Sequence, residues 1–382
     1  MDPIYLDHAA TTPLREEVLA AMQPWQSDAF GNASSLHRWG RAAHAALEGA
    51  RAEVAAALGA RPAEIFFVRG GTESDNLALI GSTRAKAASG RPVLVISSVE
   101  HSAVRDAAAH LSAVGAADVR VAEVSADGAL DLEALAAMIE GREATVSVMW
   151  VNNETGLTLP VAAVAHLARA HGATFHTDAA QAVGKVPVDL RDVPADLLTA
   201  TGHKINGPKG TGVLFVREGT HVPPLLFGGG QERGLRPGTE DVSGAVGFAT
   251  ALGLAVRERE ANAARLTRLR DVLEAALVAR VPGLRVNCAG GPRSPHVTSV
   301  GIPDTDGAAL LMALDLEGVA ASGGSACHSG AARTSHVITA LYGADDATAT
   351  VRFSLGLGTT EADVLRAAET TGVVVERMRA TP

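Results

Sequence analysis

Between residues 65 and 216 the chain alternates short apolar, often β-branched runs with longer alanine- and leucine-rich stretches. The runs are IFFV at 65–68, VLVIS at 93–97, VRVAEV at 119–124, ATVSVMWV at 144–151, ATFHTD at 173–178, DLLTAT at 196–201 and GVLFV at 212–216. Strands spaced by helix-length segments predict βαβ units, and therefore a mostly parallel sheet covered by helices on both faces. Polar residues that follow such strands fall at their carboxyl ends, where open α/β sheets hold ligands. From about Ser243 to Ala279 the pattern reads as one long or slightly broken helix, followed by Pro282-Gly283. Beyond it, LRVN, HVTSVGI and TVRFSL read as strands between helices at 306–317 and 360–379, enough for a second, smaller α/β domain.

A chain of 382 residues suits a two-domain enzyme, given ~100–200 residues per domain. Hydrophobic residues make up 47% and aromatics only 3%, so the core is expected to pack alanine-rich helices closely on a sheet. A net charge of −9 argues against a protein that binds by neutralising phosphates of nucleic acid or anionic lipid. The opening MDPIYLDHAATTP lacks a basic region followed by an apolar one, and no long apolar run appears later, so the expected location is the cytoplasm, away from membranes. Two cysteines, Cys288 and Cys327, are too few for a disulfide framework and leave a thiol for chemistry. Neither they nor the histidines show the spacing of a metal site, and no metal is expected.

Four local patterns carry chemistry. In Phe67-Val68-Arg69-Gly70-Gly71-Thr72-Glu73-Ser74-Asp75-Asn76 a strand runs through two glycines into a helix, a place where free N–H groups and the helix dipole favour a phosphate. The same letters also fit an ordinary helix cap, with Thr72 capping and Asp75 closing a T-x-x-D box. Thr201-Gly202-His203-Lys204 follows a strand directly; a lysine there, beside hydroxyl and imidazole donors, fits a Schiff-base site, though a solitary lysine fits solvated surface equally. Asp178 ends its strand, where a carboxylate can keep a pyridine nitrogen protonated, as pyridoxal phosphate requires, or cap the next turn. His101 and Asn153 also follow strands, so all these groups should meet at one sheet edge. Cys327 stands in Ala321-Ser322-Gly323-Gly324-Ser325-Ala326-Cys327-His328-Ser329-Gly330, a stretch too small and flexible for a core; an exposed nucleophile and an incidental surface thiol both fit. Cys288 lacks such a setting and reads as structural.

Together with Tyr5-Leu6-Asp7-His8-Ala9-Ala10-Thr11-Thr12-Pro13, Asn32-Ala33-Ser34-Ser35-Leu36-His37, Glu100-His101, Val151-Asn152-Asn153-Glu154, His176-Thr177-Asp178-Ala179-Ala180-Gln181, Arg236-Pro237-Gly238-Thr239 and Arg352-Phe353-Ser354-Leu355-Gly356, these stretches resemble cysteine desulfurases of the NifS/IscS type. Those are fold-type I enzymes of the class V aminotransferase superfamily, and the resemblance runs nearly end to end. It implies a large cofactor-binding domain over 13–255 and a small one from 1–12 and 256–382, which carries the cysteine loop at about 320–334.

The resemblance further implies that Lys204 carries pyridoxal 5'-phosphate, Asp178 pairs with its ring nitrogen, Gln181 bonds the ring hydroxyl, and His101 stacks on the ring and moves protons. Gly71, Thr72, Thr201 and His203 would hold the phosphate, with Thr239 reaching in from a second subunit of a homodimer. Asn153 and Arg352 would grip the carboxylate of L-cysteine, and Cys327 would take its sulfur as a persulfide for an acceptor protein in iron–sulfur, tRNA-thiolation or DNA-phosphorothioation pathways, without touching nucleic acid itself. Departures fall at His8, often Asn; Ala33, often Pro; His328, often Thr; and Leu357-Gly358, often Arg-Phe. None removes a catalytic role, although His328 adjoins the nucleophile and could alter its thiolate fraction. Selenocysteine lyases and class V aminotransferases share the lysine and the aspartate, and a sulfur-carrier scaffold without turnover is the non-enzymatic alternative.

Overall fold

The computed structural model describes residues 2–323, 335–344, 346 and 348–380. The chain opens with a two-residue strand β1 (Ile4–Tyr5), then helices α1 (Glu16–Met22) and α2 (Arg38–Leu58). There follow β2 (Ile65–Val68), α3 (Gly71–Lys86), β3 (Val93–Ser97), α4 (Ser102–Ala113), β4 (Asp118–Ala122), α5 (Leu132–Ile139), β5 (Ala144–Ser147), α6 (Val161–Ala170), β6 (Thr174–Asp178), β7 (Leu197–Thr201) and β8 (Gly212–Val216). The helices of 8 to 16 residues between β2 and β6 are the βαβ rhythm of the sequence made solid. The seven strands after β1 form one sheet in the order β2-β8-β7-β6-β5-β3-β4, in which β8 alone runs antiparallel to its neighbours.

Alternation along each strand sends side chains to opposite faces, and the two faces have separate cores. Val93 and Val95 of β3 join one apolar cluster, with helices α2 and α6, while Leu94 and Ile96 join another, with α3 and α4. Every one of these four side chains is buried, so truncating Leu94 to alanine is expected to cost ~2–5 kcal/mol. The run 144–151 stops being a strand at Ser147. Val148 and Trp150 still donate to the carbonyls of His176 and Asp178, after which Val151 pairs back with Thr158. That reversal leaves Asn152 and Asn153 at the sheet's carboxyl edge.

Helix α7 (Val242–Arg280) is a single 39-residue helix, capped by the Asp241 side chain, which accepts from the Gly244 amide at 2.9 Å. Its first third, through Leu252, packs on the large sheet's core, and its last part, Leu266–Leu277, packs in a separate cluster. That cluster lies on β9 (Arg285–Val286), β10 (Val297–Ile302), α8 (Gly307–Leu316), β11 (Val319–Ala320), β12 (Ala349–Ser354) and α10 (Glu361–Ala380), whereas α9 (His336–Tyr342) packs through Val337 on the large sheet's core. Here β12, β10 and β9 make a three-stranded antiparallel sheet, and β1 pairs in parallel with β11. The second cluster therefore contains Ile4 and Leu6 from the start of the chain. Among the described residues, no helix is long and apolar enough to cross a membrane.

Candidate active site

The carboxyl ends of β2, β3, β5, β6 and β7 deliver Gly70-Gly71, His101, Asn153, Asp178 and Thr201–Lys204 to one edge of the large sheet, and the segment after β1 lies across them. Gly70 has φ +119° and ψ −176°, a conformation open to glycine alone, and it is the residue before the first turn of α3. The helix therefore starts two residues earlier than a threonine cap would allow. Gly70 offers no cap side chain, and Thr72 stands exposed in the first turn. A Cβ on Gly70 would lie 3.9 Å from the Thr201 hydroxyl. The start of α3 and the end of β7 thus share one small cradle, with the polarity that suits a phosphate.

Lys204 lies in the short turn after β7, and its Nζ donates to the carbonyls of Ala9 and Ala10 at 2.6 and 2.7 Å. The same strap is pinned by Thr12, whose amide and hydroxyl both donate to the His203 carbonyl. The His203 ring lies 3.2 Å from the Thr11 hydroxyl. Burial, with repulsion from Lys204 and Lys185, brings His203 down to about 4, so near neutrality its ring is uncharged and has one N–H to donate.

Beneath this edge lies an acidic floor. Asp178, His101 and Asp75 each bring an oxygen or nitrogen to within 4.8 Å of one another. Asp178 accepts from the Ala180 amide at 2.9 Å and so caps the turn that follows it. Burial raises its carboxyl, while His101 and Lys204 pull it back down. Asp75 belongs to no capping box: it is buried, 3.6 Å from the His176 ring, and burial and the Asp178 charge raise it well above the ordinary range. Glu100 accepts from the Ser97 hydroxyl at 2.6 Å and the Met149 amide at 2.8 Å, yet burial still lifts it to about 8. His101 caps α4, its Nδ1 accepting from the Ala103 amide at 3.2 Å. A ring that accepts at Nδ1 carries its proton on Nε2, which fixes the tautomer.

Arg352, in the middle of β12, is buried. Its guanidinium donates to Asp7 at 2.6 Å and to the Asn153 carbonyl at 2.8 Å. Its backbone pairs with Ser322, and Ser335 donates its hydroxyl to Glu154. Cys327 and His328 lie outside the described residues, but both described flanks of their segment are anchored beside Arg352 and Asn153. Thr239 stands exposed before α7, with no hydrogen bond to the Lys204 group among the described residues. Cys288 is buried, its thiol raised by desolvation, consistent with a structural role.

Gln181 bridges the two halves of the site. Its Nε2 donates to the Ala9 carbonyl and its Oε1 accepts from Lys185, both at 2.8 Å, with the His296 ring 3.4 Å away. Lys185 and His296 were not named from sequence, Asp7 only within the resembling stretch, and Asp75 only as part of a cap. For Lys185 a signal existed in its i+4 spacing from Gln181. A buried carboxylate at the sheet edge, a lysine, neutral imidazoles and a glycine-framed helix start together fit a phosphorylated pyridine aldehyde. Residues that could hold it are Lys204, Asp178, His101, Gln181 and the Gly71–Thr201–His203 cradle.

The chain belongs to the aminotransferase class-V family, whose pattern it matches over residues 4–366. Within that family it is an enzyme of the NifS/IscS-type cysteine desulfurase group. It is 42% identical over 387 residues to the cysteine desulfurase of Trichormus azollae, covering 100% of this chain and 94% of that one. The solved structure of a NifS-like protein superposes with a TM-score of 0.90 at 31% identity, over 98% of this chain and 100% of that chain. SspA in complex with cysteine superposes with a TM-score of 0.80 at 33% identity, over 92% and 98%.

Proposed function

We propose that this enzyme converts L-cysteine to L-alanine with pyridoxal 5'-phosphate, taking the sulfur onto Cys327 as a persulfide and passing it to an acceptor protein. The observation that carries the reading is the joint placement of Lys204, Asp178 and Arg352 at one edge, with Ser322, five residues before Cys327, paired to Arg352 itself. When bound, the cofactor supplies an electron sink for the pair released as the substrate loses its α-proton. Lys204 binds it covalently and, once displaced by the substrate amine, holds and moves that proton at Nζ. Asp178 keeps the ring nitrogen protonated, and His101 offers its Nε2 proton to the reacting face. Gly71, Thr72, Thr201 and neutral His203 receive the phosphate, joined by Thr239 of a second copy in a homodimer. Arg352 and Asn153 orient the substrate carboxylate, a task that suits a planar fork.

In the sulfur step the Cys327 thiolate attacks the substrate sulfur, the Cβ–S bond breaks, and Cβ takes a proton. Cysteine and thiol become alanine and persulfide, so atoms and electrons balance. Supporting the assignment are the cysteine held by SspA and the name of the Trichormus relative. The arrangement is read as a large domain over 13–255 and a small one from 1–12 and 256–382, working in the cytoplasm; the division of α7 between two cores supports that boundary. The test is alanine and sulfide release from L-cysteine by Cys327→Ala. Loss of turnover with the visible cofactor band retained is expected; sulfide release at the native rate would sink the persulfide step. Faster elimination from selenocysteine, or amino transfer to a keto acid, would point to the sister activities instead.

A further inference from the structure

Lys185 has no part in the chemistry above, yet its position is hard to account for as packing. Burial, with repulsion from Lys204 and Arg352, holds its ammonium well below the ordinary lysine range. Groups facing it from every side are basic or neutral: His8 beside Asp7 on the strap, His203 and Lys204 after β7, His296 before β10 and Arg352 on β12. Of the acids around it, Asp7 is bonded to Arg352, and Glu258 on α7, which lines the same cavity, is bonded to Arg15. A cavity of about 60 Å³, lined by Lys185, His296 and Ala251, Ala255 and Leu266 of α7, gives the side chain room to withdraw. Its hydrogen bond to Gln181 Oε1 at 2.8 Å holds Nζ where it stands.

We propose that Lys185 is a positioning residue that locks the Gln181 amide in one orientation, so that a Gln181 N–H is presented to the ring hydroxyl of the cofactor. The inference rests on the pyridoxal-phosphate reading above. Gln181 spends Oε1 on Lys185 and one N–H on the Ala9 carbonyl, which leaves its second N–H available. A flipped amide would set oxygen against the Ala9 carbonyl and lose the bond that Lys185 Nζ now donates to Oε1. Without Lys185, the Ala9 carbonyl alone must choose between the two orientations. An N–H donated to the ring oxygen draws negative charge away from the nitrogen of Lys204, which then releases its proton at lower pH.

The experiment is a pH titration of the visible absorption band of the holoenzyme. Lys185→Met is expected to move the transition upward by about 0.5–1 pH unit, the scale of losing one hydrogen bond to the charged form, while Lys185→Arg moves it less. Gln181→Ala should raise the transition as well, and Lys185→Met added to Gln181→Ala should then shift it no further, because coupled residues are not additive. An unchanged transition in Lys185→Met overturns the proposal. Equal shifts in both backgrounds also overturn it, since they would mean that the charge acts through space. Should Lys185→Met not fold, Lys185→Gln, too short to reach Gln181, answers the same question. A native protein with no visible band after addition of pyridoxal phosphate would sink the cofactor reading instead, which is a separable outcome.

Discussion

Two walls of the same pocket have opposite chemistry. The floor on the sheet side gathers carboxylates, Asp75, Asp178 and Glu100, all buried and all raised. Facing it, nitrogens gather from the strap, from the turns after β6 and β7 and from just before β10: His8, Lys185, His203, Lys204 and His296, the imidazoles all lowered. On the wall Arg352 is paired with Asp7 at 2.6 Å, and on the floor the His176 ring lies 3.6 Å from Asp75. Burial raises the carboxyls of the floor and lowers the imidazoles of the wall, each toward its uncharged form. What this polarity teaches is that charge is available on both sides for a guest that is itself polarised, with a cationic ring nitrogen at the floor and anionic oxygens at the wall.

The harshest break in that contrast is Lys204→Ala, which removes the covalent anchor and the proton carrier together. Alanine formation from L-cysteine should fall by ~10³-fold or more, and the visible band should vanish. A colourless variant that still turned over at the native rate would end the whole reading. On the floor, Asp178→Asn should lower kcat by ~10²–10³-fold, because a neutral amide no longer holds the ring nitrogen protonated. Asp75→Asn should cost under ~10-fold, since Asp75 reaches the pocket through Asp178 and His176. Equal losses for the two would show that the floor acts as one charge and that Asp178 has no special place in it.

Legibility followed locality. Lys204, Asp178, His101 and Asn153 each come directly after a strand, so their common edge follows from strand direction, which short apolar runs reveal. Asp75 was obscured by a local coincidence: T-x-x-D looks like a cap, whereas Gly70 at positive φ begins the helix earlier and turns that aspartate into the core. Lys204, His203 and Arg352 of the basic wall were named from the sequence, but the wall's remaining contacts were illegible for a different reason. His296 reaches Gln181 across 115 positions and Arg352 reaches Asp7 across 345, and no periodicity encodes such meetings. Helix α7 was legible nearly to the residue, because a 39-residue run without glycine or proline breaks in its charged middle has little else to become.

A milder perturbation of the wall is Arg352→Lys. The lysine keeps the charge but loses the fork that now spans Asp7 and the Asn153 carbonyl, and two oxygens of a substrate carboxylate would be held at one point only. KM for L-cysteine should rise ~10–100-fold with kcat changed by only a few-fold, the sign of lost uniform binding. A fall in kcat at unchanged KM would instead place Arg352 in the bond-breaking step. Steady-state kinetics over a wide cysteine range separates the two.

The smallest effect tests whether the wall truly resists protonation. His8 is lowered from the ordinary 6.5 to about 4, first by burial and then by Lys185. In the unfolded chain it takes up a proton near 6.5, so between pH 6.5 and 4 the unfolded state binds more protons than the folded one, and stability falls as pH falls. Its ring fills the space where a Cβ on Gly356 would stand, 2.3 Å from Cε1, so there is no room for the imidazole to swing out toward that side. His8→Asn deletes the titration while leaving His176, His203 and His296 in place, so the difference between the two proteins isolates one group. Denaturant unfolding at pH 7.5 and 4.5 should show the native protein losing on the order of 2 kcal/mol more than His8→Asn across that window. Parallel losses in the two proteins would mean that His8 already carries a charge in the folded state, and that an anion or Asp7 offsets it there.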